Sequence, residues 1–453
     1  MGKTADIHFS TAVEDSQNRC FTILFFLPGL SFLLIAAHFL RWGEMGLSLS
    51  CIFMVGAMLW RRFWMRNVAQ MFLLLAALRW VATAHFLVSM RIGHGQPWLR
   101  MLAILGAVAG VTLLSALIMS SRRIRRWYDN STQSQAPLAA FVLTASLLGL
   151  VQNYLPLPML LLERYWPGFG WLQVLLMSFY AAWLTEKFLY PSVAACLRPR
   201  IWLLFSVVFF AQLFLGLAGF KEMLMTGKLH LPVPALIIAG PLYRGRDFFM
   251  PILFVATLLL VGPAWCSHLC YFGAWDSLSS RSCQVPGHLP AYAAKIRFLL
   301  LVLVSLTALL LRYLYVGWLA AAICAALFGL AGIAVMLVVS RRNGVMTHCV
   351  SFCPAGLLGN WIGRLSPFRM RIAAGCVECQ VCRKACRYNA LHLDDIRSRR
   401  PGSTCTLCGD CISACHSGQI GYSLPWVSSQ SARTIFLALI ISLHAIFMAV
   451  ARI

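Results

Sequence analysis

Cys376-Val-Glu-Cys379-Gln-Val-Cys382-Arg-Lys-Ala-Cys386 and Cys405-Thr-Leu-Cys408-Gly-Asp-Cys411-Ile-Ser-Ala-Cys415 are two copies of one spacing, C-x2-C-x2-C-x3-C, starting 29 positions apart. In such a run the first three thiolates bind one iron–sulfur cluster and the fourth reaches its neighbour. The spacing therefore predicts two [4Fe–4S] clusters. Cys376, Cys379, Cys382 and Cys415 hold the first, and Cys405, Cys408, Cys411 and Cys386 hold the second. Zinc sites also use C-x2-C pairs, but usually with longer spacers and without a third cysteine at the same step. Each run is followed by a short polar-to-apolar stretch, 389–393 and 418–424. This internal repeat predicts the pseudo-symmetric α+β fold of a two-cluster ferredoxin.

That hydrophilic segment interrupts a chain that is otherwise strongly apolar. The 453 residues are 60% hydrophobic and 11% charged, with a mean hydropathy of +0.76. Such a composition predicts a polytopic α-helical membrane protein embedded in a lipid bilayer. Apolar stretches at about 21–40, 45–60, 68–90, 98–120, 136–155, 168–187, 201–219, 249–265, 296–314, 318–340 and 432–451 predict about 11 transmembrane helices. Four regions follow: a six-span bundle of unassigned role (1–195), a four-span domain (196–345), the cysteine-rich segment (346–431) and a final span (432–453).

The formal net charge of +24 would suggest nucleic acid in a soluble chain; in a membrane protein the positions of the charges report topology instead. With the N-terminus cytoplasmic, alternate loops on that side carry Arg61, Arg62 and Arg66, then Arg122, Arg123, Arg125 and Arg126, then Lys187, Arg198 and Arg200, then Arg341 and Arg342. The positive-inside rule thus predicts a multi-pass protein of the cell inner membrane, with the N-terminus in, the C-terminus out and the ferredoxin-like domain in the cytoplasm. There thiols stay reduced, which suits metal ligation and opposes disulfides. The apolar run from Phe21 reads as a retained span, not a removed signal peptide.

A second constellation joins the first. Cys266-Ser-His-Leu-Cys270 follows one span, and Cys349-Val-Ser-Phe-Cys353-Pro354 follows another on the same side. Together the two C-x3-C pairs offer four soft donors to a third metal or redox site, for which iron–sulfur, copper(I) and zinc compete. The alternative is four buried, inert thiols. Cys20, Cys51, Cys196, Cys283 and Cys324 stand alone and read as packing residues.

Spans carrying two C-x3-C loops, followed by a two-cluster segment, resemble the NapH, NosR and CcoG type of membrane-bound polyferredoxins. The resemblance covers roughly residues 200–431 and is most specific at Cys349–Gly359 and the two cluster runs. It implies an electron conduit between a quinone pool, flavin or cytoplasmic donor and a redox partner protein. Three positions depart from the family pattern: Tyr271, Arg387 and His416 stand where proline is usual. A cation at Arg387 or His416 beside a cluster would favour its reduced, more negative form and raise its potential.

In the first six spans, His38 and His85 lie at similar depth and suggest a bis-histidine haem, against which stands the local satisfaction common for helical histidines. A quinone head-group site is a second use for them. Glu163 with Arg164 and Glu186 with Lys187 read as interfacial ion pairs. The stretch Lys221–Asp247 reads as an external loop, either a docking surface or a re-entrant turn. No CxxCH, phosphate loop or dinucleotide-binding glycine pattern appears, so an electron-transfer subunit or accessory protein is expected ahead of a stand-alone oxidoreductase. The competing function is metal handling, with copper reduced or bound at the C-x3-C pairs.

Overall fold

In hydrocarbon, backbone N–H and C=O groups have no water to bond, and helices satisfy them internally. The computed structural model describes residues 25–128, 134–220, 223, 231–290 and 292–450, and it places a helix at each of the eleven expected spans. Eight of these are long and apolar enough to cross a bilayer: Phe63–Gly93, Leu99–Ile118, Ala136–Tyr154, Pro191–Leu217, Phe249–His268, Ala293–Tyr313, Trp318–Asn343 and Ser429–Val450. Phe25–Arg41 and Met45–Ala57 are shorter, and Gly170–Phe188 carries Gln173, Glu186 and Lys187, which lower its hydropathy. The count of qualifying spans is therefore eight among the described residues.

The chain divides into two units, Met1–Phe179 and Tyr180–Ile453. In the first, Ile35, Ala76 and Trp80 form a buried core cluster. Glu163 accepts hydrogen bonds from the backbone N–H groups of Gly168 (2.8 Å) and Gly170 (2.6 Å). It thus caps the N-terminus of Gly170–Phe188, a role its pairing with Arg164 did not suggest. The His38 ring lies 4.9 Å from that of Trp80, and its Nε2 is 3.4 Å from Thr83 Oγ1. His85 is exposed and stands two residues further along the same helix, about 200° round from Thr83. The two imidazoles do not share a face, and a haem bridging them does not fit.

In the second unit, residues 231–247 fold inward around the short helix Leu236–Arg244, which packs on Ala293–Tyr313. Tyr243 donates to the carbonyl of Val316 (2.7 Å). This favours the re-entrant reading for that part of the stretch. Residues 221–222 and 224–230, like Cys20, lie outside the described residues.

The hydrophilic segment is closed by two antiparallel strands at its ends, β1 (Arg369–Ile372) and β2 (Ile420–Ser423), with Met370 opposite Tyr422. Between them the chain repeats its own backbone at a step of 29. Helix Val381–Ala385 corresponds to Asp410–Ala414, and left-handed φ values recur at Glu378 and Leu407 (both 55°), Gln380 (58°) and Gly409 (81°), and Asn389 (52°) and Gly418 (65°). Left-handed backbone costs a residue with a side chain about 1–2 kcal/mol. At Leu407 that backbone turns the N–H towards the Cys405 sulfur.

Candidate iron–sulfur centres

Cys386, Cys405, Cys408 and Cys411 line one cavity, together with Tyr388, Thr406 and Asp410. These are the four thiols that the crossed-ligand reading groups around the second cluster. Backbone N–H groups reach their sulfurs: Ala390 and Tyr388 to Cys386, Leu407 to Cys405, Asp410 to Cys408. Burial nevertheless pushes the Cys386, Cys405 and Cys408 thiols up to about 12, so thiolates here need a positive centre to bind. An iron–sulfur core is such a centre, and the all-sulfur donor set fits it.

The other four thiols of the octet also stand together. Cys376, Cys379 and Cys415 each act electrostatically on Cys382, and all three raise it further after burial. This end is more open: Cys379 is exposed, and Cys376 and Cys415 are half-buried. For Cys415, burial raises the thiol. Hydrogen bonds from Ser417 and from the N–H groups of Gln419 and Ile420 outweigh it and hold the group below its ordinary value.

The two C-x3-C pairs converge. Cys349 feels Cys270, Cys353 and Cys266, and Cys270 feels Cys266 and Cys353. The loops are built alike. Cys270 is the N-cap of Tyr271–Ser280 and Cys353 the N-cap of Pro354–Ile362, with nearly the same backbone (φ −81°, ψ 106° and φ −76°, ψ 116°). Neither capping sulfur makes a geometric cap hydrogen bond, but the nearby N–H groups of Phe272 and Gly273 favour a thiolate at Cys270 and those of Ala355 and Gly356 favour one at Cys353. A thiolate at a helix N-terminus is stabilised by these donors and by the helix dipole. Tyr271 fills the first helical position that Pro354 fills in the second loop. Its ring stacks on Phe209 at 4.0 Å and 5°, so packing replaces the rigidity of proline.

Glycines admit this approach. A Cβ on Gly273 would stand 3.0 Å from the Cys266 carbonyl oxygen, and one on Gly356 would stand 3.0 Å from that of Cys349. Gly359 lies against Cys266, with its hypothetical Cβ 3.4 Å from Sγ. Asp276, fully buried, accepts the Cys349 N–H (2.9 Å), Trp202 Nε1 donates to the Cys270 carbonyl (2.8 Å), and Arg297 Nε donates to that of Cys353 (3.1 Å).

Among the described residues, no three Cys, His, Asp or Glu side chains converge on a point where a single metal ion would sit. A [4Fe–4S] cube takes one thiolate per iron corner, so its ligands stand further apart than those of one ion.

Tyr388, 2% exposed, packs in one buried cluster with Trp202, Ala274, Met346, Val350 and Ala390; Cys349 touches this cluster from one set of thiols, and Cys386, Cys405 and Cys408 touch it from the other. The Arg387 guanidinium, expected to tune a cluster, donates to the carbonyls of Ser280 (3.1 Å), Cys283 (2.7 Å), Gly344 (2.9 Å) and Gln284 (3.0 Å). It ties the ferredoxin-like segment to the loops beneath. His416 is exposed. Of the isolated cysteines, Cys196 and Cys324 are exposed and not packed, whereas Cys51 and Cys283 are half-buried.

Sequence reasoning missed Trp202, Asp276, Arg297 and the pair Arg198–Asp410. The glycine three residues after Cys270 and again after Cys353 was a readable signal for the symmetric loops; the charged partners come from distant segments and had none.

A family described as a 4Fe-4S binding domain matches this chain at residues 243–282 and 322–373. The matched residues hold Cys266, Cys270, Cys349 and Cys353 and stop short of the octet. No curated protein and no solved structure matches the chain significantly. The chain thus combines eight helices long and apolar enough to cross a membrane with two segments that match a 4Fe–4S binding domain.

Proposed function

We propose that the protein relays electrons as a membrane-bound polyferredoxin of the NapH, NosR and CcoG type, through two [4Fe–4S] clusters in the 376–415 segment and a third thiolate-bound centre at Cys266, Cys270, Cys349 and Cys353. Clusters of this kind supply one-electron transfer without proton or bond changes. The chain's own residues supply order and distance. Cys379 at the exposed end suits entry or exit of electrons at the aqueous face. Tyr388 and Trp202 fill the space between the second foursome and the C-x3-C pairs. The distribution of arginines supports a cytoplasmic ferredoxin-like segment, with the membrane-edge centre serving a quinone or a partner protein.

The observation that carries this reading is the position of Tyr388, in the buried cluster against which Cys349 packs from one set of thiols and Cys386, Cys405 and Cys408 from the other. It makes the membrane-edge thiols and the second foursome neighbours across one side chain. Anaerobic purification followed by iron analysis and EPR-monitored reduction tests it. Three centres are expected, with one lost in Cys349→Ser while the other two persist. Stoichiometric copper that disappears in the same variant, with both ferredoxin-type signals intact, would contradict an iron centre there and favour metal handling.

A further inference from the structure

Arg297 begins the second turn of an apolar membrane helix, Ala293–Tyr313, yet it is only 4% exposed. A buried guanidinium in such a place is costly unless a counter-charge meets it. Among the described residues no carboxylate forms an ion pair with it. Besides the buried imidazole of His348, on which it acts electrostatically, its neighbours are sulfur and backbone. Nε donates to the Cys353 carbonyl, Nη2 packs on Gly356 so closely that a side chain there would overlap it, and Cys353, Cys266 and Cys349 all act on it electrostatically.

The pseudo-symmetry of the two loops sharpens the point. At the position where Gly356 meets Arg297, the matching Gly273 meets the indole of Trp202. One half of the site is thus faced by a neutral aromatic ring and the other by a fixed positive charge. Four neutral thiols would leave that charge without a paired counter-charge, since Asp276, the buried carboxylate beside these thiols, accepts the Cys349 N–H instead. Four thiolates around a [4Fe–4S] core carry net negative charge, which grows by one on reduction.

We infer that Arg297 is the counter-cation of the membrane-edge centre, a positioning residue that makes the anionic cluster stable in the bilayer's edge and raises its reduction potential relative to an uncharged surrounding. The inference rests on the reading of Cys266, Cys270, Cys349 and Cys353 as cluster ligands. A nearby cation favours the more negative, reduced form, so its removal lowers the potential.

The test is EPR-monitored redox titration of the full-length protein, with wild type, Arg297→Gln and Arg297→Lys compared. Arg297→Gln is expected to shift the third centre to lower potential, Arg297→Lys to restore most of the shift, and the two ferredoxin-type centres to stay put. If Arg297→Gln fails to assemble the third centre while Arg297→Lys assembles it, the requirement for charge is likewise supported. A third centre at wild-type potential in Arg297→Gln would overturn the inference, as would its loss in both variants, which would mark a merely structural tie to the Cys353 carbonyl. Wild-type protein with only two centres would instead overturn the reading on which the inference stands.

Discussion

Arg198 grips Asp410 through two hydrogen bonds, Nε to Oδ1 at 3.1 Å and Nη2 to Oδ2 at 2.7 Å, and both residues are buried. Arg198 belongs to the membrane helix Pro191–Leu217, and Asp410 sits between Gly409 and Cys411 in the second cluster run. Arg198 also donates to the carbonyl of Ser267 (3.0 Å), next to Cys266. One guanidinium thereby ties the 405–415 loop to the first C-x3-C loop and to a span. Removing one partner of a buried ion pair costs about 3–5 kcal/mol, because the other charge is stranded.

Arg198→Leu should therefore reduce occupancy of the second cluster, with Arg281, 3.4 Å from Asp410 Oδ2, compensating in part. Iron content and EPR amplitude of the purified variant provide the check. The double variant Arg198→Leu with Asp410→Leu should lose less than either single change. Full loading in Arg198→Leu would show that the pair is dispensable.

Gly356→Ala and Gly359→Ala should differ in degree. A methyl at Gly356 collides with Arg297 and lies 3.0 Å from the Cys349 carbonyl oxygen, whereas one at Gly359 meets Cys266 Sγ at an ordinary 3.4 Å. Gly356→Ala is expected to abolish or broaden the third signal, and Gly359→Ala to shift it slightly. The EPR spectrum of each variant decides, and equal effects would contradict the geometry.

Arg387→Ala removes a charged donor from four carbonyls, at a cost of about 2 kcal/mol. Both ferredoxin-type potentials should stay at wild-type values, since the guanidinium faces the loops. Protease cleavage in the 281–290 loop of the detergent-solubilised protein should become faster. A lowered potential with unchanged cleavage would favour the tuning role instead.

Thiol reactivity after iron removal should follow burial. Thiolate is the reactive form, and its fraction at pH 8 falls as the thiol value rises. With iron stripped anaerobically, Cys415, held below its ordinary value and half-buried, should be alkylated well before Cys405 and Cys408, which burial holds at about 12. Mass spectrometry over a time course reads the order. Simultaneous labelling would mean that the stripped segment unfolds.

The helices and the repeated backbone of the two cysteine runs were legible because each rests on a local pattern. Apolar stretches name their own helices, and C-x2-C-x2-C-x3-C names its own loop, down to the backbone repeated 29 residues later. What escaped was non-local. Nothing near Arg297 or Arg198 signals that one will meet a cysteine carbonyl 56 positions on and the other an aspartate 212 positions on. Sequence adjacency likewise did not show that the guanidinium of Arg387, next to Cys386, donates to four loop carbonyls. His38 and His85 share a depth, while helical phase separates their faces.

The central claim is that three groups of four thiols hold three iron–sulfur centres in one membrane protein. Iron and acid-labile sulfide analysis of anaerobically purified full-length protein, with EPR spin quantitation during stepwise reduction, tests it most directly. The account predicts about twelve iron atoms per chain and three reducible centres. About eight iron atoms and two centres would contradict the membrane-edge site, and iron-free, colourless protein would contradict the whole.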